Sequence, residues 1–431
     1  MMIYMFPASK VEKVQQLFTS FLKKWLGIPK SLSTDALYST SMKLQLPYAS
    51  VVEEVKAAKT RILSTYQQSA DECIRNANIS VEAGRKWKIG AEVEEAKSRL
   101  RLQEIAGIAN IGREGIGMSH RQYYSTSTDK EKRGLIVQQV RVKEEELRRA
   151  RIAGLTKQAA STRWEVPERK LAHRDIINTS EASLRFLIKS VYDLLPTPAN
   201  KNVWFRTEEN KCQLCGGHGS LNHILSGCKV ALQQGRYRFR HDQVLREIAA
   251  HIDEKRRVNN ASPWKKRKNI GFVRAGEKGK QAFKPADTPS YLDTARDWNL
   301  KVDIGKRLVI PPHIMETPLR PDMLLVSERT KQLGIVELTV PSEERIEVSS
   351  ELKKMKYAPI EEAATRRGWK VRVWAVEVGC RGFAAASLSS CLKDMGFTGS
   401  KRKSILKKVG QEAEKSSQKI WSWCHWKEWG K

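Results

Sequence analysis

The segment from Cys212 to Cys228, CQLCGGHGSLNHILSGC, constrains this chain more than any other. It sets Cys212, Cys215, His223 and Cys228 in a C-x2-C-x7-H-x4-C spacing. Three thiolates and an imidazole suit tetrahedral zinc, and the two-residue gap lets one tight turn, eased by Gly216 and Gly217, present both sulfurs. Four ligands leave no open position, so a structural Zn2+ is expected, one that stabilises a segment too small to build its own core. His218 is a rival to His223, but the helix-compatible His-x4-Cys spacing favours His223. Cys73, Cys380, Cys391 and Cys424 read as ordinary thiols. Seven cysteines in all, an odd number, argue against a disulfide framework and for a reducing compartment.

The hydrophobic period differs on the two sides of this cluster. Upstream it is helical. SKVEKVQQLFTSFLKKWLGIP aligns Val11, Val14, Leu17, Phe18, Phe21, Leu22 and Trp25 on one stripe, which reads as a buried helical face ending at Gly27 and Pro29. GAEVEEAKSRLRLQEIAGIA and STDKEKRGLIVQQVRVKEEELRRARIAGL read as two further helices. The stretch between them, with Gly112, Gly115 and Gly117, has no preceding strand and no Gly-Lys-Ser/Thr, so it reads as a loop and not a phosphate cradle. SEASLRFLIKSVYDLL is another helix, expected to end at Pro196 and Pro198. Downstream, WNLKVDIG, PDMLLVS, LGIVELTV and WKVRVWAVEVG are short β-branched runs, with SSELKKMKYAPIEEAATRRG as a helix before the last.

Charge narrows the partners. The 431 residues carry 78 Lys plus Arg against 48 Asp plus Glu, a net +30. A surface this basic attracts polyanions, and nucleic acid is the expected one. The residues assigned to it are Arg236, Arg238, Arg240 and His241 on a basic helix after the cysteine cluster, and Lys265, Lys266, Arg267 and Lys268 in PWKKRKN. The first residues lack the basic n-region and cleavage site of a signal peptide, and no run reaches the roughly 18 apolar residues of a membrane span. A nuclear or cytoplasmic protein with no membrane partner and no small-molecule substrate is expected.

Asp322 follows a proline at the mouth of one apolar run, and Glu337 lies inside the next, with fourteen residues between them. In adjacent strands the two carboxylates meet at one end of a sheet, where Mg2+ needs oxygen ligands and keeps water. Such a cation polarises a phosphodiester and generates hydroxide, and a nearby lysine orients that water or stabilises developing charge.

The pattern RPD…ELTV is similar to the PD-(D/E)xK nucleases, although Thr339 stands where the common form has lysine. The order of cysteine cluster, RYRFRHDQVL helix, LRPDMLL, VELTVP and KKMKY resembles more narrowly the C-terminal half of non-LTR retrotransposon proteins of the restriction-like-endonuclease class. There a CCHC knuckle precedes the nuclease, and the nuclease lysine lies on the helix after the second acidic strand. The resemblance implies Asp322 and Glu337 as Mg2+ ligands and Lys353 as the catalytic lysine, with Lys356 as the alternative and Glu343 and Asp303 as accessory acids. FLKKWLGIPKSLSTDALYS and the helices after it resemble the thumb of those proteins. No Tyr/Phe-x-Asp-Asp polymerase motif occurs, so the chain is not expected to copy RNA unless a polymerase is supplied in trans.

The expected architecture is α+β and multidomain: a helical N-terminal half, a small CCHC zinc knuckle and a restriction-endonuclease-like α/β domain. Its segments are a thumb-like helical region (1–95), a helical linker region (96–205), the knuckle with its basic helix (206–250), a basic flexible linker (251–295), the endonuclease domain (296–400) and a basic tail (401–431). The expected function is Mg2+-dependent nicking of DNA by a nucleic-acid-binding protein that also contacts RNA. The alternative is an inactive remnant, or a host-recruited protein, that only binds. Trp421, Trp423, Trp426 and Trp429 either stack on bases or, the favoured reading, pack back on the nuclease core.

Overall fold

A computed structural model describes residues 6–77, 81, 84–106, 108–110, 117–119, 123–207, 209–263, 289–305 and 307–429. The chain is mixed α and β and divides into two compact units, more coarsely than the six expected segments. One comprises Met1–Thr162 with Arg169–Tyr192, the other Arg163–Glu168 with Asp193–Lys431.

The first unit is helical. Its main helices are α1 (Ala8–Trp25), α2 (Val51–Gln67), α3 (Ile89–Ala106), α4 (Asp129–Ala153) and α5 (Glu181–Val191). α4 begins where Thr128 and Glu131 cap one another's backbone amides, a reciprocal arrangement that satisfies two orphan donors of the first turn. α2 packs against α1, α3 and α4. Most of the apolar stripe of α1 is not its buried face, contrary to the sequence expectation; of that stripe only Val11 is buried. Leu17, Phe18, Phe21 and Trp25 are exposed, while Ala8, Val11, Thr19 and Lys23 are buried. Polar demand sets this rotation. Thr19 Oγ1 lies 3.0 Å from the Tyr38 hydroxyl. The buried Lys23 ammonium donates to the carbonyls of Lys30 (3.1 Å) and Leu32, which the turn after the helix would otherwise leave unpaired. Of the glycine-rich segment, Ile108–Asn110 pairs antiparallel with Gly117–Ser119, so it is in part a strand pair. Gly112 and Gly115 lie outside the described residues.

The second unit carries a four-stranded sheet in the order β1 (Asn299–Val302), β2 (Met323–Ser327), β3 (Gln332–Thr339), β4 (Lys370–Glu377). The first two pairings are antiparallel and β3–β4 is parallel. A parallel pair needs a long crossover, and α6, the helix Ile346–Arg366, supplies it. It packs on one sheet face, where Tyr357, Ile360 and Ala364 meet Leu324, Val326, Leu333 and Ile335. On the other face Met323, Leu325, Val336, Leu338, Trp374 and Val376 bury against three helices: α7 (Arg236–Ala261), α8 (Ala386–Asp394) and α9 (Gly399–Ser422), α7 preceding the sheet in the chain. All four expected strands and the inserted helix are present.

Two expectations at the edges of this unit need correction, and a third segment gains detail. Pro198 opens a helix, Pro198–Phe205, instead of ending one: at the first helical position its missing N–H would be unpaired anyway. The linker is shorter than 251–295, because α7 continues to Ala261 and Tyr291 and Leu292 are core residues. Residues 264–288 lie outside the described set. The basic tail is mostly α9, whose Ile405, Val409 and Ala413 are buried in the same core as α7.

Buried ion pairs tie the loop after β3 to the loop after β4. Glu343 Oε2 and Arg381 Nη1 are 2.5 Å apart, both deeply buried, and Glu343 Oε1 accepts from the Arg381 amide at 2.6 Å. Arg381 Nη2 also donates to Asn222 Oδ1 at 2.6 Å. Glu343 is therefore a structural residue and not the accessory acid anticipated for it. Glu343→Ala removes the closest partner of a buried guanidinium, leaving it Glu344 at 3.7 Å, and is expected to cost about 3 kcal/mol in urea unfolding. A loss below about 1 kcal/mol would show the pair to be dispensable.

Candidate metal centre and acidic site

The cysteine cluster forms as the spacing predicts. Cys212 accepts the Gly216 amide on its carbonyl (2.8 Å) and donates its own amide to Gly217 (2.6 Å), making the tight turn, with Gly216 at φ 72°. A β-carbon on Gly217 would meet His223 Cε1 at 3.3 Å and Cys215 Sγ at 3.4 Å, so the turn closes directly on the ligands. The ligand atoms of Cys212, Cys215, His223 and Cys228 lie within 4.8 Å of one another. His218 instead bridges to Lys211, outside the cluster. Burial, together with the adjacent Cys215 and Cys212 sulfurs, pushes the Cys228 thiol up to about 11. Burial holds Cys228 protonated until a cation neutralises it, while at Cys215 desolvation is outweighed by hydrogen bonds that pull the thiol down, and three thiols with an imidazole fit a soft or borderline metal such as zinc. Cys424 was read as an ordinary thiol; it lines a small apolar cavity with Cys212 and Cys228, a placement without signal in its local sequence.

Outer contacts hold these ligands. Tyr237, from the first turn of α7, accepts the Cys228 amide at 3.0 Å and lies 2.9 Å from the Ile224 carbonyl. One turn on, Arg240 donates to the Leu225 carbonyl (2.8 Å) and to the Val340 carbonyl just beyond β3 (2.9 Å). This corrects the expected role of the basic helix. Arg236 is 0 % and Arg240 1 % exposed, both bonded to backbone carbonyls, and neither reaches a nucleic-acid backbone. Their spacing of four residues puts both on the inward face, where the knuckle and the C-terminal residues offer unpaired carbonyls. Arg238 is the one arginine of the three that faces solvent. Lys265, Lys266, Arg267 and Lys268 fall outside the described residues. Trp423 and Trp429 pack together and Trp429 meets Phe239 of α7, not the expected endonuclease segment, while Trp426 is exposed.

Asp322 and Glu337 meet at one end of the sheet. Asp322 precedes β2 and Glu337 lies in β3, where antiparallel register pairs Met323 with Val336. Glu337 is buried, and its Oε2 lies 3.3 Å from the Asp322 amide and 2.8 Å from the Tyr357 hydroxyl. Lys353, from α6, ion-pairs with Glu337 Oε1, and Lys356 Nζ stands 3.6 Å from the same atom. Asp322 Oδ2 accepts the Leu338 amide at 2.7 Å and lies 3.3 Å from His241 Nε2. The three residues assigned to catalysis, Asp322, Glu337 and Lys353, thus gather at one place with Lys356. Asp303 is adjacent, its amide donating to the Asp322 carbonyl at 2.9 Å. Burial and Glu337 push the Tyr357 hydroxyl far above its ordinary range, so it acts here as a neutral donor.

His241, expected to touch nucleic acid, is largely buried between Asp242 (3.2 Å) and Asp322. Burial disfavours its imidazolium, but the hydrogen bonds it donates to the two carboxylates, and their charges, outweigh this and raise it to about 9. A raised histidine stabilises the fold fully below the unfolded value near 6.5 and loses that contribution as pH climbs to about 9. Without divalent cation, unfolding free energy is therefore expected to fall between pH 6.5 and 9. His241→Gln should flatten that slope; an unchanged slope in the variant would place the titration elsewhere.

Neither a scan against models of protein families nor a search of curated proteins finds a match to this chain. Among the described residues no helix is long and apolar enough to cross a membrane.

Proposed function

We propose that this chain is a retrotransposon-derived, nucleic-acid-binding protein whose second unit is a restriction-endonuclease-like, Mg2+-dependent DNA-nicking nuclease. The observation that carries the reading is the gathering of Asp322, Glu337 and Lys353 from two strand ends and one crossover helix. Residues distant in sequence seldom bring two carboxylates and a lysine together without chemistry to perform or a charge to neutralise. Asp322 and Glu337 would hold the cation, which when bound polarises the phosphodiester and activates water. Lys353 would neutralise negative charge developing on the phosphate oxygens, and Lys356, near the same carboxylate, would assist. The net charge of +30 supports backbone binding of DNA and RNA through counterion release, mostly without sequence information. Zinc in the knuckle is structural in this reading. A polymerase in trans would be needed to couple the nick to reverse transcription.

A second reading, a binding protein that no longer cuts, is favoured by one feature: every Glu337 oxygen is already taken by Lys353, Tyr357 or the Asp322 amide. The test is conversion of supercoiled plasmid to open circle by the purified chain. Nicking with Mg2+ that chelator stops supports the nuclease. Retarded plasmid that is never cut, from zinc-loaded protein, replaces it with the binding reading.

A further inference from the structure

The sheet carries a further buried carboxyl that neither the acidic pair nor the knuckle uses. Glu377 closes β4, is 1 % exposed, and in the parallel pairing lies beside Thr339 as Ala375 lies beside Glu337. Strand alternation decides its face. Leu333 and Ile335 of β3, and Val371 and Val373 of β4, pack with Tyr357, Ile360 and Ala364 of α6. Glu337, Thr339 and Glu377 continue the same parity and so lie on the α6 side, toward that helix's first turns. Glu377 Oε2 accepts from the Ser387 hydroxyl, whereas Oε1 is buried without a hydrogen-bond partner among the described residues. Burial pushes the carboxyl up; Ser387, Ser350 and the charges of Lys354 and Lys353 pull it back. Ser350 of α6 is a hydroxyl near this carboxyl but supplies no charge, and a buried carboxylate favours a cationic partner.

The acidic pair has the opposite imbalance. Glu337 Oε1 holds Lys353 with Lys356 close by, and Oε2 takes the Tyr357 hydroxyl and the Asp322 amide. Were Glu337 to hold a divalent cation, Lys353 would have to leave Oε1, and its ammonium would be repelled by the dication unless another carboxylate received it. We infer that Glu377 is that carboxylate, a positioning residue whose Oε1 takes up the Lys353 ammonium when a cation occupies Glu337, keeping the lysine charged beside the site. The step exchanges one ion pair for another and makes or breaks no covalent bond. It rests on the nuclease reading above.

The test is Mn2+ affinity of the full, zinc-loaded chain, read from the electron-paramagnetic signal of free Mn2+. Glu377→Gln keeps the shape and an acceptor for Ser387 while removing the charge, and a thermal melt checks its fold. We expect binding about tenfold weaker in Glu377→Gln, and no further loss when the same change is made in Lys353→Met, because coupling through one partner is non-additive. Unaltered affinity in Glu377→Gln beside a loss in Asp322→Asn would overturn the inference and leave the nuclease reading standing. A tenfold loss that persists in the Lys353→Met background would overturn it as well, since Glu377 would then act without the lysine. Wild-type protein that binds no Mn2+ would remove the nuclease reading, and the inference with it.

Discussion

Asp322→Asn is expected to slow Mg2+-dependent plasmid nicking by about 10³-fold or more while leaving DNA retention nearly unchanged. Asparagine preserves an acceptor for the Leu338 amide, now 2.7 Å from Oδ2, so the start of β2 stays registered on β3. What it removes is the formal charge, which a hard cation needs from its carboxylate. A cation contributes several kcal/mol to the transition state for phosphodiester hydrolysis, and about 4 kcal/mol corresponds to 10³ in rate. His241 supplies an internal control. Part of its elevation to about 9 comes from Asp322, so its titration should move down in the variant. Nicking within about tenfold of wild type, with the histidine shifted as expected, would show that the cut is made elsewhere.

Removing the knuckle metal should be the largest perturbation of stability. Ligand-set zinc binding in small knuckle peptides is worth on the order of 10 kcal/mol at neutral pH, and folding of the segment is linked to it. Here 211–228 holds one isolated bridge, Lys211 to His218, and a short helical turn, His223–Gly227, so its regular secondary structure is slight and the turn around the sulfurs depends most on the metal. Cys228→Ser is expected to yield protein without stoichiometric zinc by elemental analysis. Amide exchange across the knuckle should then accelerate by about 10³-fold or more. Arg240 carries part of the loss inward, since it joins the Leu225 carbonyl of the knuckle to the Val340 carbonyl three residues past Glu337. Amides of β3 close to Val340 should therefore also exchange faster, and those in the middle of β2 should not. Zinc retained by the variant, or a knuckle that stays protected without it, would refute the assignment of the four ligands.

Particular residues show which parts of this arrangement local sequence encodes. The four ligands of the knuckle were legible because a zinc turn needs its donors at fixed short spacing and glycine where the backbone approaches the sulfurs. The four strands were legible from β-branched runs between turn residues, whereas Lys353 came only from the family resemblance, which left Lys356 as an alternative. The orientation of α1 was not. Its apolar stripe is the better hydrophobic face, yet the helix buries Thr19 and Lys23 because carbonyls of Lys30 and Leu32, beyond its end, need a donor. Arg236 and Arg240 read as nucleic-acid contacts for the same reason in reverse: a run of basic residues does not say which of them face inward.

The sequence by itself determined the spacing of the four cysteine-cluster ligands, the order of the four sheet strands and the helix between the last two, and the strand ends near which the two acids lie, because each depends on spacing within a few tens of residues. Only the tertiary structure decided which charges are buried and what they pair with. Glu343 with Arg381, Glu337 with Lys353, His241 with Asp322, and the unpartnered oxygen of Glu377 all depend on contacts between separate elements. Desolvation makes those contacts obligatory for a buried polar group, and it acts only once the chain has closed around them.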